Sequence, residues 1–380
     1  MRHAGASYLA VPYVDIGLQH RLLKQELYDV VEPVIISGDF ILGQAVAELE
    51  RLFASLCETN YAIGVGSGTD ALILALRSIG IGPGDEVITA PNSFVASASA
   101  IVLCGARPVF VDVRDDYNID PFRIDRAITS RTKAILPVHL TGRPADMTHI
   151  LSVANKYRLP VIEDAAQAVG ARYNGRPVGS LGLVGCFSFH PLKNLNACGD
   201  GGIITTNDER IYRFLLKARN HGLQDRDTCE FWSVNSRLDS LHAAMLLKKL
   251  QYLPRWTEER RDIAAFYREC LSTVVSIPKE HPTEYAVYNT FVIEAEHRDS
   301  LQRYLGSRGV DSKVHYPIPI HQQPAARELG YKRGDFPIAE SQATRILSLP
   351  VYPGLSEEQK CHVVECVRNF MSEQTAAGFQ

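Results

Sequence analysis

The chain has 380 residues, of which 46% are hydrophobic and 22% charged, and its formal net charge at pH 7 is −3. This composition is typical of a globular protein with a large core. The small net charge and the lack of a basic run argue against a nucleic-acid-binding protein. No segment approaches the roughly 18 apolar residues of a membrane-spanning helix, and the segment MRHAGASYLAVPYVDIG has no apolar core of signal-peptide length.

Eight cysteines are spread along the chain. No pair has the CxxC spacing, and no group of histidines and cysteines has the spacing of a zinc site. We therefore expect reduced thiols, no metal ion and a cytoplasmic protein.

Between residues 60 and 206, short strand-like runs alternate with helix-like stretches. The runs are 61–65, 86–90, 107–113, 133–139, 159–164, 185–189 and 202–206. Most are continuously apolar, as strands buried on both faces are. Helices are predicted between many of them, for example at 69–78, 93–103 and 147–157. This alternation predicts an α/β domain with a mostly parallel central sheet of seven strands.

The rest of the chain predicts a smaller C-terminal α/β domain. Helices are expected at 208–219 and at 237–270, the second interrupted at Pro254. The following segments are predicted to form strands at 288–293 and 312–315, a helix at 299–307 and a last helix from Ser356, where Ser356 and Gln359 fit a capping box. We place the large domain, with its N-terminal arm, at 1–255 and the small domain at 256–380.

The sequence GVGSGTDAL (64–72) forms a glycine-rich turn from a strand into a helix. Glycines allow close backbone approach, and the free N–H groups at a helix start favour phosphate. A tight turn without a ligand is one alternative. A dinucleotide site is another, but the spacing is GxGxG rather than GxGxxG, and the next strand ends in Ala-Pro rather than in an acid.

Three other strand ends carry residues with chemical potential, since ligands of open α/β sheets lie beyond the carboxyl ends of the strands. Asp164 ends a buried strand and needs a cationic partner, although it could simply cap a turn. Lys193 follows Ser188 in a loop and is either a solvated lysine or an imine-forming nucleophile. Phe94 is either a core aromatic or a platform for a flat ring. A phosphate site, an acid, an aromatic and a lysine together are what pyridoxal phosphate requires.

These segments also resemble a known family. GSGTDAL, the Pro-Asn-Ser-Phe segment, EDAAQAVGA, FSFHPLKN with GDGG, RNHG, and Asn235-Ser-Arg followed by HAAML are similar to motifs of the DegT/DnrJ/EryC1/StrS aminotransferases. The resemblance covers nearly the whole chain. It implies the fold type I aminotransferase architecture, pyridoxal 5'-phosphate as cofactor, and a homodimer with shared active sites.

The resemblance also implies roles for individual residues. Lys193 resembles the lysine that forms the imine with the cofactor and moves the proton, and Asp164 resembles the acid facing the ring nitrogen. The other residues implied in cofactor binding are Gly68, Thr69, Asp70, Phe94, Gln167, Ser188, His190 and, toward the partner subunit's cofactor, Asn235. His315, Tyr316 and His321 resemble the segment that approaches the substrate.

The expected reaction is amino transfer from L-glutamate or L-glutamine to a nucleotide-linked keto-sugar, giving an amino sugar. A family branch with histidine in place of the lysine catalyses dehydration, but position 193 is lysine. An aminocyclitol or other non-nucleotide acceptor, a non-catalytic regulatory protein and a nicotinamide-dependent oxidoreductase stay as alternatives. Asn196 stands where several sugar branches have glycine, and we expect it to bear on the substrate loop.

Overall fold

The computed structural model describes residues 9–377. The strands of this part are, in chain order, β1 (Tyr61–Val65), β2 (Glu86–Thr89), β3 (Arg107–Phe110), β4 (Thr132–Ile135), β5 (Ile162–Asp164), β6 (Arg172–Tyr173), β7 (Arg176–Pro177), β8 (Val184–Ser188), β9 (Gly202–Thr206), β10 (Glu284–Tyr285), β11 (Phe291–Glu294) and β12 (Ile346–Leu349).

The α-helices are α1 (Ile16–Leu22), α2 (Lys24–Ser37), α3 (Gln44–Leu56), α4 (Gly68–Ser78), α5 (Ala96–Leu103), α6 (Pro121–Ala127), α7 (Met147–Tyr157), α8 (Glu209–Ala218), α9 (Ser240–Leu250), α10 (Leu253–Leu271), α11 (Arg298–Ser307), α12 (Pro337–Arg345) and α13 (Glu357–Ala377). Short 3-10 helices lie at Leu140–Gly142, Ile320–Gln322 and Pro324–Leu329. None of the helices in the described part is long and apolar enough to cross a membrane.

The central sheet consists of two hydrogen-bonded groups of strands. One has the order β1-β9-β8-β5 and the other β3-β2-β4. Parallel bridges from Ile135 to Val161 and from Val138 to Asp164 join them edge to edge. Within these two groups, β9 pairs antiparallel with both neighbours and the other strand pairs are parallel. The predicted α/β class and mostly parallel sheet are therefore confirmed.

This topology brings several strand ends to one edge. β1, β2, β5 and β8 run in the same direction, so their carboxyl ends open on the same side of the sheet. Asp164 is the last residue of β5 and Ser188 the last residue of β8. The glycine-rich turn follows β1 and Phe94 follows β2, so the predicted site residues start from neighbouring positions.

The C-terminal region has a core of its own. Strands β11 and β12 pair antiparallel, and helices α10, α11 and α13 pack with them around Tyr267, Phe291, Leu301 and Val367. The last helix starts as predicted, because Ser356 and Gln359 each accept a hydrogen bond from the other's backbone N–H. The domain boundary falls inside α10 and stays a prediction, and both outer limits, 1 and 380, lie outside the described residues.

Several predicted elements differ from the structure. The strands predicted at 107–113 and 133–139 end early, at Phe110 and Ile135, and those predicted at 159–164 and 288–293 begin late, at Ile162 and Phe291. Segment 312–315 is not a strand, because Lys313 makes only an isolated bridge to Ser348. Segment 237–270 is two helices, α9 and α10, that separate at Gln251 and Tyr252, and Pro254 lies in the first turn of α10. Proline fits a first turn because the N–H it lacks would have no partner there. The helix predicted at 93–103 starts only at Ala96.

Candidate active site

A cavity of about 440 Å³, here called the central cavity, opens at the carboxyl edge of the sheet. The predicted site residues that line it are Gly68, Thr69, Phe94, Asp164, Gln167, Ser188, His190, Lys193, His315 and Tyr316. Asp70, Asn235 and His321 are not among its lining residues. The fold thus brings most of the predicted residues around one space, although they are far apart in the sequence.

Lys193 lies in the loop between β8 and β9, where its backbone N–H donates to the carbonyl of His190 at 2.9 Å. Burial lowers the pKa of its ammonium group to about 8, and the nearby carboxylate of Asp164 opposes this shift only in part. A lysine with such a pKa is partly neutral at physiological pH. Lys193 can therefore act as a nucleophile or as a base, which a solvated loop lysine could not.

Asp164 is buried and held by two donors. Its Oδ2 accepts a hydrogen bond from Ser97 Oγ at 2.7 Å, and its Oδ1 accepts one from the backbone N–H of Ala166 at 3.2 Å. Burial raises the pKa of the carboxyl group, and the two hydrogen bonds oppose that effect. A buried carboxylate with an open side toward a cavity is suited to a cationic ligand group.

Ser97, which was not predicted from the sequence, supports Asp164 in the site. Its hydroxyl accepts a hydrogen bond from Ser93 Oγ at 3.0 Å, so a short relay of hydroxyls ends at Asp164. Ser93 and Ser97 are four residues apart and face the same way in the turn that leads into α5. The Ser-x-x-x-Ser spacing after a strand end was the available signal, but nothing local connects it with Asp164, 67 positions further along the chain.

The start of α4 forms a site suited to an anion. Ser67 caps the helix by accepting the N–H of Asp70 at 3.0 Å, and the first N–H groups of a helix have no partners inside it. A Cβ atom on Gly68 would lie 2.7 Å from the Cβ of Ser188, so only glycine lets the helix start approach this serine. The backbone of Gly68 and Thr69 and the hydroxyl of Ser188 together form a phosphate-sized cradle.

Asp70 was predicted to bind the cofactor, but its groups are bonded to other residues of the chain. Its N–H is already donated to Ser67, and its carboxylate accepts a hydrogen bond from Ser236 Oγ at 2.8 Å. The same hydroxyl accepts the N–H of Gly66 at 3.0 Å. Asp70 therefore fixes the turn from outside the central cavity, and its backbone is not free to bind an anion.

Phe94, Gln167, His315 and Tyr316 form an uncharged part of the cavity lining. Phe94 has 53% of its surface exposed, so it is not a core residue, and its ring centroid lies 5.7 Å from that of Tyr316. Gln167 accepts the N–H of Thr141 at 2.7 Å and donates to the hydroxyl of Tyr316 at 3.4 Å. Burial lowers the pKa of His315 to about 4, so this side chain is uncharged at neutral pH.

Two predicted residues lie elsewhere in this chain. His321 is buried, with its Nε2 3.1 Å from Glu340 Oε1 and its ring packed against Phe336, so the predicted substrate contact finds no support from the position of this residue. Asn235 pairs through its backbone with Asn220. Its predicted role is toward the partner subunit's cofactor and stays a prediction.

Asn196 is not on the substrate side of its loop. It is buried, its Oδ1 accepts from Lys249 Nζ at 2.7 Å, and its Nδ2 donates to Gln19 and to the carbonyl of Lys193. Lys249 also donates to the carbonyl of Asn196 and contacts His20 Nε2, each at 2.9 Å. The expectation that Asn196 bears on the substrate is therefore corrected: its side chain anchors the Lys193 loop to α1 and α9.

The fold is that of a fold type I aminotransferase, and comparison with known proteins agrees. Residues 22–368 match the DegT/DnrJ/EryC1/StrS aminotransferase family. The chain is 45% identical to the "Pleiotropic regulatory protein" of Geobacillus stearothermophilus, covering 95% of this chain and 98% of the relative. It is 41% identical to the "dTDP-3-amino-3,4,6-trideoxy-alpha-D-glucose transaminase" of Streptomyces venezuelae, covering 95% and 96%.

A solved structure agrees as well. The crystal structure of S. venezuelae DesV in complex with a ketimine intermediate superposes with a TM-score of 0.93 at 41% identity, covering 95% of this chain and 98% of that one. The chain therefore belongs to the DegT/DnrJ/EryC1/StrS aminotransferase family.

Proposed function

We propose that this protein is a pyridoxal-phosphate-dependent aminotransferase that moves an amino group from L-glutamate or L-glutamine to a nucleotide-linked keto-sugar. The observation that carries the proposal is that Lys193, Asp164 and the cradle of Gly68, Thr69 and Ser188 line one cavity. A lysine of lowered pKa, a buried acid and an anion site are separate needs of this cofactor.

The residues present fit pyridoxal phosphate by charge and by shape. Because Gly68 has no Cβ, the start of α4 lies close to Ser188, and the phosphate would be held between the N–H groups of this helix start and the hydroxyl of Ser188. Asp164 offers a negative charge for a protonated ring nitrogen, Phe94 offers an exposed ring face, and Gln167 offers an amide to a ring oxygen. These residues would hold the cofactor, with Lys193 as the attachment point.

The cofactor, when bound, supplies an electron-withdrawing ring next to the carbon that loses or gains a proton. Lys193 Nζ, neutral in part because of its lowered pKa, accepts that proton and returns it. Asp164, kept in place by Ser97, stabilises positive charge on the ring side of the cavity.

Uncharged polar side chains that line the central cavity indicate the nature of the acceptor. His315, Tyr316 and Gln167 are uncharged hydrogen-bonding groups, which suit the hydroxyl groups of a sugar. The transaminase of S. venezuelae reported above is named for a dTDP-linked amino sugar. We propose an acceptor of that class, formed in the cytoplasm, where the free thiols of all eight cysteines stay reduced.

We also propose that two copies pair and complete each other's sites. Large apolar side chains are exposed on α2 and directly after it, and they are Tyr28, Ile35, Ile36, Phe40, Ile41 and Leu42. Apolar surface of this extent favours a protein interface. In such a dimer, Asn235 has a role toward the partner's cavity that it lacks in its own chain.

The test is a direct assay of the purified protein loaded with pyridoxal phosphate. L-glutamate and L-glutamine are offered as donors, and nucleotide-linked keto-sugars are compared with keto-inositols as acceptors. We expect the visible absorbance of the cofactor to change with a donor and an amino sugar to appear by mass spectrometry. Transfer to keto-inositols alone indicates an aminocyclitol transaminase, and a lack of any spectral change with donors indicates a non-catalytic protein.

A further inference from the structure

Arg260, in the middle of α10, lines the central cavity with its side chain. Its side chain is 6% exposed, and it lines the cavity together with Tyr13, Thr290 and His315. No sequence motif indicates a role for Arg260, and no step of the proposed reaction uses this residue.

The charge of Arg260 has no counter-ion among the described residues. Its Nη1 donates to the carbonyl oxygens of Tyr288 and Val351 at 3.2 Å and 2.5 Å, while its Nε is buried without a hydrogen-bond partner. Burial lowers its pKa to about 10, so it remains a cation at neutral pH. A buried cation without an anion is costly, and the cost falls when a ligand supplies the anion.

Other buried arginines of the described part do have carboxylate partners. Arg143 pairs with Glu284, Arg219 with Glu50 and Arg298 with Asp299. Each of them therefore carries its neutralising charge within the chain. Among these four arginines, Arg260 alone lines the central cavity and alone lacks a carboxylate partner among the described residues, which indicates that its partner comes from outside the chain.

A second polar group in the same wall lacks a partner. Thr290 Oγ1 is buried and makes no hydrogen bond within the described residues, and Thr290 lines the central cavity. A hydroxyl can donate to an oxyanion beside a guanidinium group. Arg260 and Thr290 thus offer a charged and a neutral donor to one anionic ligand.

We propose that Arg260 binds a carboxylate group of the amino donor. This inference rests on the proposed function. In an amino acid donor, a carboxylate is bonded to the same carbon as the amino group, so it must enter the cavity together with the reacting atoms. The phosphates of a nucleotide-linked sugar are separated from the keto carbon by ring atoms and can stay nearer the solvent. A deeply buried arginine suits the shorter ligand, because guanidinium and carboxylate match in bidentate geometry.

The experiment separates the two half-reactions of the enzyme loaded with its cofactor. Wild type, Arg260→Gln and Arg260→Lys are mixed with L-glutamate, and the change in visible absorbance gives the rate of the donor half-reaction. The same three proteins, first converted to the amine form with a very high donor concentration, are then mixed with a nucleotide-linked keto-sugar. Arg255→Gln is the matched control, because Arg255 lies on the same helix, is largely exposed and pairs with Glu259.

We expect Arg260→Gln to lower the second-order rate with L-glutamate by about 10- to 100-fold, the range of a hydrogen-bonded charge pair. The sugar half-reaction should change by less than about threefold, and Arg260→Lys should retain part of the donor rate because it retains the charge. Glutarate, a dicarboxylate without an amino group, should bind the wild type more tightly than Arg260→Gln in a calorimetric titration. Arg255→Gln should match the wild type throughout.

Other outcomes overturn the inference. Loss of the sugar half-reaction alone assigns Arg260 to the phosphates of the acceptor. Equal loss of both half-reactions, with unchanged glutarate binding in Arg260→Lys, assigns it a structural role. If the wild type itself reacts with neither L-glutamate nor another amino acid, the proposed function fails, which is distinct from a failure of the assignment of Arg260.

Discussion

Lys193 and Asp164 must both be deprotonated within one cavity, which leaves the lysine neutral and the aspartate negatively charged. The lysine must give up a proton to react, and burial promotes this by lowering its pKa to about 8. The aspartate must stay charged to face a cation, although burial raises its pKa. Ser97 and the N–H of Ala166 counter that effect for Asp164 alone. Burial therefore favours the neutral lysine, whereas the hydrogen-bond donors around Asp164 keep the carboxylate charged despite its burial.

Uptake of pyridoxal phosphate by the cofactor-free protein should depend on pH through Lys193. Because the pKa of Lys193 is about 8, the neutral fraction of its amine rises through that pH, and the uptake rate should rise with it and level off above about pH 9. Lys193→Ala should show no such rise, no absorbance of the lysine imine before a donor is added, and no turnover. Stopped-flow absorbance measures both proteins, and full turnover by Lys193→Ala without added amine would contradict the assignment.

Ser97→Ala should make Asp164 a weaker acid by removing the hydrogen bond to its Oδ2. A hydrogen bond to a charged group contributes about 1.5–3 kcal/mol, and its loss raises the pKa of Asp164 further. We expect kcat to fall roughly tenfold and the acid limb of the pH profile to move to higher pH. Ser99→Ala, two residues further on the same helix, is the control. A uniform fall in kcat without a shift of the limb would show that Ser97 does not act through Asp164.

Gly68→Ala should impair binding of the cofactor's phosphate. The added Cβ would meet Ser188 Cβ at 2.7 Å, and relief of such a clash costs about 1–3 kcal/mol. Because the shift falls on the cradle, we expect a roughly tenfold weaker affinity for pyridoxal phosphate, measured by fluorescence titration of the cofactor-free protein. Gly82→Ala is the matched control, since nothing lies within 4 Å of its Cβ position. Equal affinities of both variants would refute the cradle.

At the scale of elements, one buried lysine connects three parts of the fold. Lys249 on α9 is 0% exposed and has no carboxylate partner within residues 9–377. Its three N–H groups instead meet two oxygen atoms of Asn196, in the Lys193 loop, and a nitrogen of His20, on α1. Asn196 continues the network to the carbonyl of Lys193 itself. The loop that presents the reactive lysine is therefore fixed from behind by α1 and α9.

Lys249→Met should destabilise the protein and reduce its sensitivity to acid. Unpaired buried acceptors cost about 1–3 kcal/mol in the free energy of unfolding. Burial and Lys249 lower the pKa of His20 below 6.5, so the unfolded chain binds more protons and wild-type stability falls as the pH drops below that value. Without Lys249, this fall should be smaller.

Urea unfolding of the wild type and of Lys249→Met at pH 7.5, 6 and 5 measures both effects. Lys248→Met is the control, because the partly exposed pair of Lys248 with Glu26 should contribute at most about 1 kcal/mol. Identical pH dependence in the wild type and in Lys249→Met would show that His20 is not coupled to Lys249.

The same elements show how far the sequence could be interpreted. The run 61–65 predicts its strand well, because it is continuously apolar, as strands buried on both faces are. The strand predicted at 312–315 was wrong. The contact of this segment with β12 is a single bridge between Lys313 and Ser348, which are 35 positions apart in the sequence. The roles of Ser97 and Asn196 could not be predicted from the sequence for the same reason. Their partners, Asp164 and Lys249, become neighbours only after the sheet and helices have assembled. A local sequence pattern therefore cannot indicate these contacts.

At the scale of the whole molecule, the central cavity lies between the sheet and the C-terminal region. Lys193, Asp164 and the cradle come from the sheet, whereas Arg260, His315 and Val351 come from the C-terminal part. The phosphate cradle and the proposed donor site thus belong to different parts of the chain. Apolar side chains at 35–42 remain outside both cores, which is the surface that a second copy is proposed to cover.

Ile36→Glu should therefore weaken self-association. Ile36 has 78% of its surface exposed in the single chain, and a buried, unpaired carboxylate is unfavourable. In a symmetric dimer the substitution occurs twice, so a cost of at least about 1.4 kcal/mol per copy weakens association by about a hundredfold or more. Sedimentation velocity should show a shift toward monomer, and specific activity should fall on dilution, because Asn235 no longer reaches a partner's cavity. Ile36→Met retains the apolar surface and should behave as the wild type. A wild-type protein that is monomeric at concentrations where it is fully active would contradict the shared site.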